Sequence, residues 1–115
     1  MELRIDDSGD EVVSRVALLG MLDMLAVGKI ETRLMAATVA RGRHTIVDLS
    51  ELTFIASIGM GVLVTAYKGL KRKGARLVLL NPRSEVEAAF ITSRLVEIMP
   101  IARSEAEAIQ FLSAN

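Results

Sequence analysis

The run Arg76-Leu77-Val78-Leu79-Leu80 constrains this chain more than any other segment. Four successive apolar residues show no inside–outside alternation, which is the mark of a strand covered on both faces. Thr45 to Leu49 reads as another strand. Between the two, a helix from about Ile58 to Lys73 sets Ile58, Val62, Leu63, Ala66 and Leu70 on one side at helical spacing, and Gly74 stops it. Strand, helix and strand make a βαβ unit, so the two strands are expected to run parallel.

The remaining segments extend that unit. Leu3 and Ile5 alternate with Glu2 and Arg4, Asp7-Ser8-Gly9-Asp10 is a turn cluster, and Val12 to Leu19 is β-rich, which together predict an antiparallel hairpin. Gly20-Met21-Leu22-Asp23 is expected to end the second strand. Asp23 can then cap a helix whose apolar stripe is Val27, Ile30, Leu34 and Ala37, closed by Arg41-Gly42-Arg43. After Asn81-Pro82, Ser84 with Glu87 is spaced as a capping box for a helix to about Thr92. Val96 to Ile101 suits a last short strand. Ser104 with Glu107 is a second capping box, for a C-terminal helix with Ala108, Ile109 and Leu112 inward. The expected order is β-β-α-β-α-β-α-β-α. It gives an α/β fold in one domain over residues 1–115, with a mixed, mostly parallel sheet, an N-terminal antiparallel hairpin and about four helices.

Composition narrows the function. At 115 residues and 51% hydrophobic, the chain is long enough for one core and too apolar for disorder. Lys and Arg number 14 and Asp and Glu 14, a balance that argues against nucleic acid or an anionic membrane held by bulk charge. Lys68, Lys71, Arg72, Lys73 and Arg76 cluster, but they suit the carboxyl end of the helix before Gly74, and the aromatics are only Phe54, Tyr67, Phe90 and Phe111. Cysteine is absent and His44 is the single histidine, so no thiolate chemistry and no Cys/His metal motif is available. No charge lies between Glu51 and Lys68, yet that run is shorter than the about 20 residues of a membrane span and is broken by Thr53, Ser57, Gly59, Gly61 and Thr65. Membrane insertion is therefore not expected. The acidic start MELRIDDSGDE does not read as a signal peptide, so a cytoplasmic setting is expected.

Ser57-Ile58-Gly59-Met60-Gly61 opens a helix after a strand, the place of a phosphate loop. GxGxxG fails at Val64, and no Gly-Lys-Ser/Thr follows. At about 100° per residue, Ser57, Met60, Gly61 and Val64 share an arc opposite the stripe of Val62, Ala66 and Leu70. Either Ser57 caps the helix beside incidental surface apolars, or the arc is a flat docking patch centred on a modifiable hydroxyl.

The segment Asp48-Leu49-Ser50-Glu51-Leu52-Thr53-Phe54-Ile55-Ala56-Ser57-Ile58-Gly59-Met60-Gly61-Val62-Leu63 resembles the signature of STAS domains, especially bacterial anti-sigma factor antagonists. Gly20-Met21-Leu22-Asp23 resembles the family's Gly-x-Leu-Asp, and Gly74 to Pro82 its glycine followed by an apolar strand. The resemblance implies a non-enzymatic regulator without a cofactor. It implies that Ser57 is phosphorylated by a GHKL-type serine kinase that is also an anti-sigma factor, and that a serine phosphatase resets it. It places partner contacts at Asp23, Met24, Ala56, Ser57, Ile58, Gly59, Met60, Gly61 and Val64. The chain departs from the family pattern at Ala56, where aspartate is usual, and at Ile58, where a second hydroxyl is usual. These departures keep open an adaptor in a signalling or transporter-associated assembly that does without phosphorylation. A small-ligand or nucleotide binder using Ser57 to Gly61 is a third reading. The resemblance does not fix the oligomeric state.

Overall fold

The computed structural model describes residues 1–6 and 12–113. Its strands are β1 (Glu2–Asp6), β2 (Val13–Leu22), β3 (His44–Asp48), β4 (Leu52–Ile55), β5 (Leu77–Leu80) and β6 (Ile101–Ala102), and its helices α1 (Met24–Ala37), α2 (Ser57–Arg72), α3 (Ser84–Thr92) and α4 (Glu105–Ser113). The sheet order is β1-β2-β3-β5-β6, with β4 also paired to β2. Among the described residues, only β1 against β2 is antiparallel; the other pairs, including β3 with β5 across α2, are parallel. The hairpin's turn residues, Asp7 to Asp10, lie outside the described residues.

β5 explains its own composition. Leu77 and Leu79 face a core with Val16, Leu18 and Val47, closed by α1, α2 and Phe90 of α3. Val78 faces a smaller one with Val13, Ile46 and Ala102, closed by Ala108 and Leu112 of α4. Both faces of β5 are thus buried, as an apolar strand without alternation requires. In β1, Leu3 is buried, whereas Ile5 stands at the sheet edge and is exposed.

Several expectations are corrected. β2 does not end at Gly20: it continues to Leu22 through an irregularity between Gly20 and Met21. Gly20 takes φ +97°, a left-handed conformation glycine adopts without a Cβ penalty, and there pairing passes from β3 to β4. β4 is a strand the periodicity did not reveal. Val96 to Ile101 is not a strand: Leu95–Glu97 forms a 3-10 turn, and only Ile101–Ala102 pairs with β5. Leu95 and Met99 are the buried residues there, four apart, which is helical spacing. Ser84 and Glu87 form no capping box. Arg83 occupies the cap position, the Ser84 hydroxyl donates to Glu85 (3.3 Å), and Glu87 accepts two hydrogen bonds from Arg103. Before α4 the Ser104 hydroxyl does accept from the Glu107 N–H (3.2 Å). Ile58 is exposed, so the core stripe of α2 is Gly59, Val62, Leu63, Ala66, Gly69 and Leu70. Among the described residues, no helix is long and apolar enough to cross a membrane.

Candidate partner-docking site

Two parallel strands deliver two helix starts to one edge of the molecule. In β2 and β4, Met21 lies opposite Phe54 and Leu22 opposite Ile55, and the Ala56 N–H donates to the Leu22 carbonyl (3.0 Å). Both chains then turn directly into helices. Asp23 caps α1: its backbone is extended and its Oδ1 accepts from the Ala26 N–H (2.9 Å). Ala56 holds the equivalent place before α2, also extended, but has no side chain to cap with. The first two residues of α1, Met24 and Leu25, and the first two of α2, Ser57 and Ile58, are thus delivered to the same edge.

α2 can sit this close to the ends of β2 and β4 because Gly59 has no side chain. A Cβ on Gly59 would lie 2.8 Å from Leu22 Cγ and 3.1 Å from Ile55 Cγ1. Gly59, named among the expected partner contacts, is buried and packs inward, away from the exposed face. Met60 and Val64 are also turned partly away from solvent. Both pack against the core, and the Ser93 hydroxyl donates to Met60 Sδ (3.3 Å). The predicted outward arc reduces to Ser57 and Gly61, both exposed. Asp23 is half-buried in its capping role and Ala56 is half-buried beside it.

Ser57 is the first helical residue, not the cap, and its side chain is exposed. Five exposed apolar residues lie on the strand ends and helix starts that meet at this edge: Met21 (52% exposed), Met24 (71%), Leu25 (77%), Phe54 (44%) and Ile58 (47%). Exposed apolar residues grouped on one edge mark an interaction surface, whereas scattered single residues do not. Met24 and Ile58 were legible in the sequence. Met21, Leu25 and Phe54 were not, because their grouping depends on β4 pairing with β2. The available signal was that Met24 and Leu25 precede the buried stripe of α1 without belonging to it. None of the five carries charge, so the patch holds no cation for an added anion. The other candidates lie apart: His44 Nδ1 accepts from the Arg76 N–H (3.0 Å) at the opposite end of the sheet, and no cluster of three or more His, Asp or Glu occurs among the described residues.

The sequence profile of the STAS domain matches residues 5–108. The chain is 29% identical to a protein named a putative anti-sigma factor antagonist, BtrV of Bordetella bronchiseptica, over 99% of this chain and 97% of that protein. Among solved structures it superposes on an anti-sigma factor antagonist from Mycobacterium paratuberculosis with a TM-score of 0.82, at 20% identity over 96% of this chain and 94% of that one. It also superposes on the Bacillus cell fate determinant SpoIIAA in its phosphorylated form, with a TM-score of 0.69 and 26% identity over 96% and 98%.

Proposed function

The chain belongs to the STAS domain family, and we propose that it is an anti-sigma factor antagonist: a binding module whose docking face is switched by phosphorylation of Ser57. One observation carries this reading, namely an exposed hydroxyl at the start of α2 on the edge where five exposed apolar residues of β2, α1, β4 and α2 also lie. The partner is a GHKL-type serine kinase that acts as the anti-sigma factor, and a phosphatase restores the hydroxyl. The protein is the substrate of that chemistry and performs none itself.

The switch follows from electrostatics. A phosphoserine carries about −1.5 to −2 charges at neutral pH. At the first position of a helix that charge meets free N–H groups and is locally favourable by about 0.3–1 kcal/mol, so the modified domain stays folded. Pressed against an apolar partner without cations, the same dianion costs several kcal/mol. Reversing a 99:1 population needs about 5.5 kcal/mol, beyond what loss of one hydroxyl contact supplies. Repulsion at the docking face suffices, with no refolding.

The test starts with the kinase that co-purifies from the protein's own cells. Ser57→Asp should weaken its binding by at least about tenfold, about 1.4 kcal/mol, with an unchanged melting curve. Equal affinity of variant and parent defeats the switch. Ala56 and Ile58 favour one second reading, a docking module that the kinase does not modify. Absence of phosphate on Ser57 after incubation with kinase and ATP, with binding intact, would select it.

A further inference from the structure

At the far end of α2, about 21 Å along its axis from Ser57, lies a cavity of about 430 Å³ between α2, β5 and α4. Its apolar walls include Leu77, Pro100 and Phe111, and its polar groups are Tyr67, Lys71 and Arg76. Tyr67 and Lys71 are one turn apart on α2, so they project from the same face. Arg76 is held from three sides: its Nη1 donates to the Phe111 carbonyl (3.0 Å), its N–H to His44 Nδ1 (3.0 Å), and its carbonyl accepts from the Thr45 N–H (2.8 Å). Neither Lys71 nor Arg76 is paired with a carboxylate among the described residues, and the half-buried Tyr67 hydroxyl has no hydrogen-bond partner among them. The polar side chains of this cavity can therefore all donate, and two of them are cationic, above an apolar wall.

A second concavity, of about 480 Å³, differs on that point. Its charged lining is Arg4, Arg15, Asp48 and Glu105; Arg15 already binds Glu105 (2.6 Å) and Arg4 binds Glu2, so its cations are matched by carboxylates. Of the two, the first cavity presents unmatched positive charge beside apolar surface. Lys71 and Arg72 also face the carboxyl end of the α2 dipole, but that role requires neither a cavity nor Phe111.

We propose that the cavity of Tyr67, Lys71, Arg76 and Phe111 binds an amphiphilic anion, a single carboxylate or phosphate head group with an apolar tail. The head group lies between Lys71, Arg76 and the Tyr67 hydroxyl, accepting charge-assisted hydrogen bonds. The tail lies along Leu77, Pro100 and Phe111, where its burial is the favourable term. A volume of this size falls in the range of small-molecule sites. The site is separate from the docking face and does not depend on the reading of Ser57.

The test is titration of the full chain with octanoate and with octyl phosphate, followed by amide NMR shifts and calorimetry. Octanol and acetate serve as controls lacking the charge and the tail. Saturable binding of either anion at or below about 1 mM is expected, with shifts centred on Tyr67, Lys71, Arg76 and Phe111. Whichever anion binds more tightly identifies the head group. Octanol and acetate should each bind at least about tenfold more weakly, as should the anion to Lys71→Gln or Arg76→Gln. Lys71 is exposed, so its variant stays folded and keeps the test decisive if Arg76→Gln disturbs the contact with Phe111. Ser57→Asp should leave the affinity unchanged. No saturation by either anion, shifts centred elsewhere, equal binding of octanol, or full affinity in Lys71→Gln would each overturn the proposal.

Discussion

At the scale of single residues, the chain separates side chains that serve the fold from those left for a partner. Ser14 belongs to neither group. It lies in β2, 1% exposed, and its hydroxyl has no hydrogen-bond partner among the described residues. A buried hydroxyl without a partner retains its desolvation cost, about 1–3 kcal/mol. Ser14→Ala is therefore expected to stabilise the protein by about 1 kcal/mol, read as a higher urea midpoint with an unchanged slope. Ser57 is the opposite case: an exposed hydroxyl with apolar neighbours that its own fold does not use. The identity of Ser57 was readable from its motif. Helical angles also placed it outward, but the same angles put Met60 and Val64 there, and α3 closes over that side.

Among the elements, α2 shows how little separates a docking edge from a clash. Gly59 allows the helix to approach β2 and β4, with Leu22 and Ile55 where a Cβ would go. Gly28, in α1, has nothing within 4 Å of such a Cβ. Gly59→Ala should lower stability by about 1–3 kcal/mol through overpacking, whereas Gly28→Ala should raise it by about 0.5–1 kcal/mol through helix propensity. Thermal unfolding of the two variants checks the pair, and Gly59→Ala should also disturb partner binding by shifting Ile58. α1 and α2 were legible from their periodicity, and α3 and α4 from capping-box spacing, although the Ser84–Glu87 box does not form. The short strands were not: β4 has only Leu52 and Ile55 buried, a spacing of three that suits a helix as well as a strand. β4 exists because β2 extends past β3 and offers free backbone groups to pair with.

For the whole molecule, stability in acid depends on how α3 is tied to the segment before α4. Arg103 binds Glu87 through both oxygens, one at 2.7 Å, and this hydrogen bonding holds the Glu87 carboxyl below its ordinary range. A depressed carboxylate contributes stability above its unfolded value of about 4.3, and that contribution is lost as pH falls through the folded value. Glu87→Gln should thus be less stable than the parent near neutral pH, with the difference narrowing at a pH below the unfolded value and shrinking at high salt. Urea midpoints at the two pH values measure it. The docking face and the cavity lie at opposite ends of α2, so each can be altered without the other. What the sequence alone determined is the βαβ core, the parallel order around β5, the four helices and the family signature at Ser57, because burial on both faces and helical spacing are written locally in residue type. What tertiary structure alone decided is the docking surface itself and the cavity. Met21, Met24, Leu25, Phe54 and Ile58 become neighbours, as do Tyr67, Arg76 and Phe111, only when strands distant in sequence pair in register, and no local pattern encodes that pairing.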